Sequence, residues 1–165
     1  MGRTGVEQLL YLMDQAFEPE PRLRAHSLLS NLVDVHDEDW LLNPLGGGRN
    51  VASIAEHVGE CKFMYANQAF DDARMNWHDF DPRYVPELPA KAAMIDWLRE
   101  GHAYLRGYVE NLDDGELTVK RKWHPGPMME TRWLVSTMIE HDLYHAGEIN
   151  HIRALVQGND AWPQY

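Results

Sequence analysis

Two histidines four residues apart, His141 and His145 in EHDLYHAGE, stand in the last long helical stretch of this 165-residue chain. In an α-helix that spacing turns both side chains to within about 40° of each other and sets them about 6 Å apart along the axis, so both reach one ion. With His141 as origin, Leu134 and Ile152 fall near about 20°, Leu155 near about −40° and Met138 near about 60°. The pair is therefore expected inside the apolar stripe. There a neutral imidazole must satisfy both ring nitrogens, and two charged ones would repel. A shared divalent ion removes both difficulties. The spacing alone leaves open a pair of core histidines bonded to backbone or carboxylate partners.

Zinc-like ions in catalytic sites usually take three protein ligands and leave a position open, so a third ligand must come from another helix. His57 is the best placed, three residues after Ile54 and four before Cys61 on the inward edge of its own helix. His151 lies about 120° from His145 on the wheel, and His26, His36, His78, His102 and His124 sit in segments with no such pairing. Glu148, at about −20° from His141 and nearly one turn beyond His145, faces the same place. It is a candidate fourth ligand, acceptor for a histidine N–H, or general base; the alternative is a partly solvated helix charge. Glu60, three residues after His57, presents the same choice. Together the two carboxylates raise a two-metal centre, although the usual Glu-x-x-His order and the further glutamates are missing. Cys61 is a further candidate ligand or nucleophile, against plain packing of a buried thiol. Trp77, Trp123, Trp133 and Trp162 either line a pocket or fill the core and close its ends.

The elements that must carry these residues are helices. Apolar positions at 3–4 spacing mark Val6 to Phe17, about Leu23 to Val35, Val51 to about Phe70 with Asn50 as its cap, Ala90 to Asn111, and Thr131 to about Gln157 with Gly158 as its stop. The glycines at 46, 47 and 48 make a loop, and prolines at 82, 86 and 89 make 71–89 a long ordered connection. Only Thr118 to Trp123 shows even weak strand-like alternation. Four long helices and one or two short pieces predict an all-α four-helix bundle, read as a single domain over residues 1–165.

Composition narrows the chemistry. A formal charge of −11 would repel a phosphate backbone, so nucleic acid is not an expected partner. No apolar run approaches the ~18 residues of a membrane span, and the N-terminus lacks a secretory stretch, so a soluble, cytoplasmic protein with no membrane partner is expected. One cysteine excludes an internal disulfide and any multi-cysteine metal site, which leaves histidine and carboxylate to hold an ion.

The segments GGGRNVASIAEHVGECKFMYANQAF (46–70) and ETRWLVSTMIEHDLYHAGEINHIRAL (130–155) resemble the DinB-like metalloprotein superfamily, as do LLYLMDQAF near the N-terminus and LSNLVDVHDEDW before the glycines. The specific element is a histidine on the second long helix followed much later by HxxxH and a glycine, here His57, His141, His145 and Gly147. The resemblance implies an up-down-down-up bundle, often a homodimer, with a three-histidine site for zinc, nickel or a similar divalent transition metal. It also implies a metal-dependent transferase or related hydrolase acting with a small thiol such as mycothiol or bacillithiol on a small-molecule substrate. Many members carry Gln where this chain has Glu148. The competing expectation is a metal-bearing stress-response module without turnover, its ion closed off by Glu148 or Cys61.

Overall fold

The computed structural model describes residues 2–19, 27–76, 90–123 and 126–158. Its helices are α1 (Thr4–Phe17), α2 (Leu28–Val33), α3 (Val51–Phe70), α4 (Lys91–Glu110) and α5 (Thr131–Gln157). Short 3-10 turns at Asp37–Asp39 and Asp114–Thr118, and a two-stranded ribbon of β1 (Lys120–Arg121) and β2 (Met129–Glu130), complete the described elements. Among the described residues, no helix is long and apolar enough to cross a membrane.

Local chemistry sets the ends of the two helices that matter most. Asn50 Oδ1 accepts the Ser53 N–H at 2.9 Å while Ser53 Oγ accepts the Asn50 N–H at 3.2 Å, a reciprocal cap that starts α3. Gly158, at φ 61°, takes the left-handed conformation that stops α5 without a Cβ penalty. The start of α5 is held by the ribbon: the Thr131 N–H and Oγ1–H both donate to Val119 O at 2.9 Å, and Arg121 Nε donates to Thr131 Oγ1 at 2.9 Å. The weak alternation at 118–123 becomes β1. Its partner β2 was not foreseen, because a two-residue strand has no period to read.

The four long helices form an all-α bundle in which α3 packs on α4 and α5, and α1 packs on the same two helices, with the short α2 lying against α5. Two apolar clusters fill it. One gathers Leu28, Leu32, Ile54, Val58, Trp97, Leu98, Ala146 and Ile149. The other gathers Val6, Leu10, Met13, Cys61, Leu105, Val135, Met138 and Ile139. Val58 and Ala146 belong to the first and Cys61 and Ile139 to the second, so the clusters meet at the level of His57–Lys62 on α3 and His141–His145 on α5.

Close approach of α3 and α4 depends on Gly59: a Cβ built there would lie 2.0 Å from Trp97 Cζ3. On α5 the expected stripe is shifted. Leu134, Met138 and Ile152 are buried as expected, but Leu155 is 58% exposed. The buried residues, including Val135, Ile139, Asp142 and Ala146, centre about 90° round the helix from His141, on the side away from Leu155. The histidine pair therefore lies on the edge of the buried arc and not at its middle. Of the second stretch, the helix spans Leu28–Val33 with Asp34 as its C-cap, two residues short of the expected Val35, while its expected start at Leu23 lies outside the described residues, as does the connection from 77 to 89.

Candidate metal centre

α3 and α5 bring His57, His141 and His145 together, each offering a nitrogen, all within 4.8 Å of one another. Nε2 of His57 and Nε2 of His141 are 3.3 Å apart. An ion bound by imidazole nitrogens at about 2.0–2.1 Å in tetrahedral geometry sets its ligand atoms about 3.3 Å apart, so this pair already has the required edge. The ring centroids lie 5.2 Å (His57–His141), 5.1 Å (His57–His145) and 4.5 Å (His141–His145) from one another, with the rings tilted or edge-on and not stacked flat. Three imidazoles edge-on around a point is an arrangement that suits a shared ion, and the 3.3 Å contact of His57 with His141 also lies within hydrogen-bond distance for a neutral pair.

The electrostatics favour the ligand form of the rings. Burial, together with the charges of His145, His57 and Lys62, holds His141 down to about 3, so it is neutral at physiological pH. Burial, with His145 and Arg49, likewise lowers His57, against a smaller opposing pull from Glu148. His145 is buried, and its Nδ1 lies 2.9 Å from Glu148 Oε2. An ionised carboxylate only accepts, so in the tautomer that uses this contact the proton sits on Nδ1 and Nε2 is the ligand atom. The other oxygen, Oε1, is 2.5 Å from the Arg49 guanidinium. Of the roles open to Glu148 from sequence, this distance fits the acceptor for a histidine N–H.

Neither Glu148, Glu60 nor Cys61 joins the three-histidine group among the described residues, so the structure assembles no two-metal carboxylate cluster there. Cys61 is fully buried, its Sγ 3.8 and 3.7 Å from His57 Nδ1 and Nε2. Burial pushes its thiol up to about 12, in keeping with a thiol packed beside His57. Glu60 is partly buried, and burial with the neighbouring Glu56 charge raises it to about 7. Tyr65, stacked on Trp123 with centroids 4.7 Å apart, lies perpendicular to the His141 ring with centroids 6.4 Å apart. Trp133 is exposed instead of filling the core, and Trp77 and Trp162 lie outside the described residues. His36 meets Asp39 and Gln157, His102 stacks on Phe17, and His151 is exposed; His26, His78 and His124 lie outside the described residues.

Residues 22–149 match the sequence pattern of the DinB superfamily, a span that includes all three histidines and Glu148. The chain belongs to the DinB superfamily. No curated protein is significantly similar to it. In this DinB-superfamily chain, sequence reasoning missed two features of the site. Arg49 reaches Glu148 from the residue before the α3 cap, and nothing in its local pattern foretells that contact. Lys62 and Asp142 form a buried ion pair beside the histidines. A signal for it existed: Asp142 falls about 100° from His141, within the arc shared by Val135, Ile139 and Ala146, where an acid needs a partner. Glu148 also forms part of the wall of a groove of about 350 Å³ that runs between residues 44–49 and His151, Ile152 and Leu155 of α5.

Proposed function

We propose that His57, His141 and His145 hold one divalent transition metal, zinc or nickel, and that the protein is a small-thiol-dependent transferase or related hydrolase. The observation that carries this reading is the convergence of three imidazoles on one point while the neighbouring carboxylate of Glu148 is engaged by His145 and Arg49. Three protein ligands without a fourth is the donor set of a site that keeps a position for a reactant. When bound, such an ion supplies Lewis acidity that lets a coordinated thiol or water ionise near neutral pH.

The chain's own residues have separable tasks in this scheme. Glu148 fixes the tautomer and direction of His145 and is itself steadied by Arg49. Cys61, a buried thiol with no access to solvent, excludes water behind His57. Glu60, with its carboxyl raised to about 7 and its place three residues after His57, suits the task of taking the reactant's proton at neutral pH. In the transfer, sulfur forms a bond to an electrophilic carbon, the leaving group departs with its bonding pair, and the thiol proton passes to the base. The groove beside Glu148 gives room for the parts of a small-molecule substrate that do not react.

The test begins with metal analysis of protein purified without a histidine tag, with about one divalent ion per chain expected. The cobalt-substituted protein is then titrated with mycothiol-like and bacillithiol-like thiols. A thiolate-to-cobalt charge-transfer band near the ultraviolet, absent in His145→Ala, supports the reading. A metal-loaded protein whose spectrum no thiol or added anion perturbs overturns it in favour of a closed, structural ion.

A further inference from the structure

The Lys62–Asp142 pair stands out because burial makes it costly. Lys62 Nζ donates to both carboxylate oxygens of Asp142, at 2.8 and 2.6 Å, and the two side chains are only 3% and 5% exposed. Removing two charges from water often offsets their attraction, so a buried pair is weak support for stability and is commonly replaceable by apolar residues of similar volume. What an apolar replacement lacks is direction. Small residues such as Ala55, Val58 and Ala146 tolerate sliding and rotation, because apolar contact has no preferred angle. A two-oxygen contact to one ammonium does not.

The pair joins the two helices that carry the histidines. Lys62 is five residues after His57 on α3, and Asp142 is the residue after His141 on α5. The ammonium also sits 4.7 Å from the centre of the Phe17 ring, at the end of α1. That ring stacks on His102 of α4, centroids 4.1 Å apart, and His102 Nε2 is 3.2 Å from Asp14 of α1. One polar stratum thus runs from the histidines across all four long helices, at the level where the two apolar clusters meet.

We infer that Lys62 and Asp142 are positioning residues that set the rotation of α5 against α3 and so bring His141 and His145 to His57. Side-chain tips lie about 5–6 Å from a helix axis, so a rotation of about 10° displaces a ligand atom by about 1 Å. Metal–nitrogen distances hold to about ±0.2 Å, which corresponds to about 2° of rotation. Apolar contact carries no preferred angle; an ion pair one residue from His141 does. The inference rests on the metal reading above.

The test is the double variant Lys62→Met with Asp142→Leu. It removes one positive and one negative charge, so the net charge beside the site is unchanged and any change in metal affinity reports geometry. The metal-free variant is expected to melt at or above the metal-free wild type, while the zinc Kd rises at least tenfold and the cobalt d–d bands weaken and broaden. A folded variant with zinc Kd within threefold of wild type and an unchanged cobalt spectrum overturns the inference. The milder pair Lys62→Gln with Asp142→Asn, which keeps a neutral hydrogen bond, is read alongside and stands in if the apolar pair does not fold. There the Kd is expected to rise threefold or more, and an unchanged value overturns the inference. Wild type and His57→Ala are controls: if the two bind zinc alike, the metal reading itself has failed.

Discussion

Glu148 offers a graded perturbation of the site, because its two oxygens have different partners. Oε2 lies 2.9 Å from His145 Nδ1, and Oε1 lies 2.5 Å from the Arg49 guanidinium. Glu148→Gln keeps an oxygen for Nδ1 but loses the charge; Glu148→Ala loses both the charge and the acceptor. A hydrogen bond to a charged group contributes about 1.5–3 kcal/mol against about 0.5–1.5 kcal/mol for a neutral one, a difference of about 1–1.5 kcal/mol. That is about tenfold in Kd, so the zinc affinity of Glu148→Gln should fall about tenfold. Full loss of such a partner weakens metal sites by up to about 100-fold, which sets the expectation for Glu148→Ala. The assay is competition with a chromophoric chelator on metal-stripped protein. Melting in excess zinc gives a second readout: a tenfold weaker Kd removes about 1.4 kcal/mol of linkage, or about 3–6 °C for a chain of this size. Metal-free melting should move little, since the Arg49 contact is largely exposed on the arginine side. Equal affinity in wild type, Gln and Ala forms would refute the orienting role. A cobalt spectrum in Glu148→Gln that newly admits added ligands would make Glu148 a ligand instead.

The remaining expectations are simpler. His57→Ala, His141→Ala and His145→Ala should each lose most bound metal while His151→Ala keeps it, as metal analysis would show; full occupancy in any of the first three means the triad is misassigned. A chelator should lower the melting temperature of wild type and leave His145→Ala unmoved. Gly59→Ala should destabilise by about 1–3 kcal/mol in urea unfolding, because displacing Trp97 outweighs the gain of about 1 kcal/mol in helix propensity; a stabilised variant would show that Trp97 yields freely. Burial lowers His102 in the folded protein, against an opposing hydrogen bond from Asp14. As pH falls below about 6.5 the unfolded chain therefore takes up that proton first, and stability drops by at most about 1.4 kcal/mol per pH unit. Metal-free His102→Gln should lose less stability between pH 7 and 5 than metal-free wild type, and parallel curves would contradict the lowered value.

The helices, the Asn50 cap, the Gly158 stop and the His141–His145 pair were legible in the sequence because each is decided within a few residues. Backbone hydrogen bonds four residues apart fix which side chains share a face, whatever the rest of the chain does. The third histidine was reachable by the same wheel, but only as the inward position on another helix. What surrounds the site needed the tertiary structure. Leu155 reads as core by periodicity and is exposed because the neighbours of α5 lie to one side of its apolar stripe, which also leaves His141 at the edge of the buried arc. The role of Glu148 depends on whether its carboxylate turns to His145 Nδ1 or to the ligand point, a choice of rotamer that one-dimensional spacing does not contain. Arg49 and Glu148, and Lys62 and Asp142, meet across separations of about a hundred residues or nearly so, where the crossing of α3 and α5 alone decides who is opposite whom.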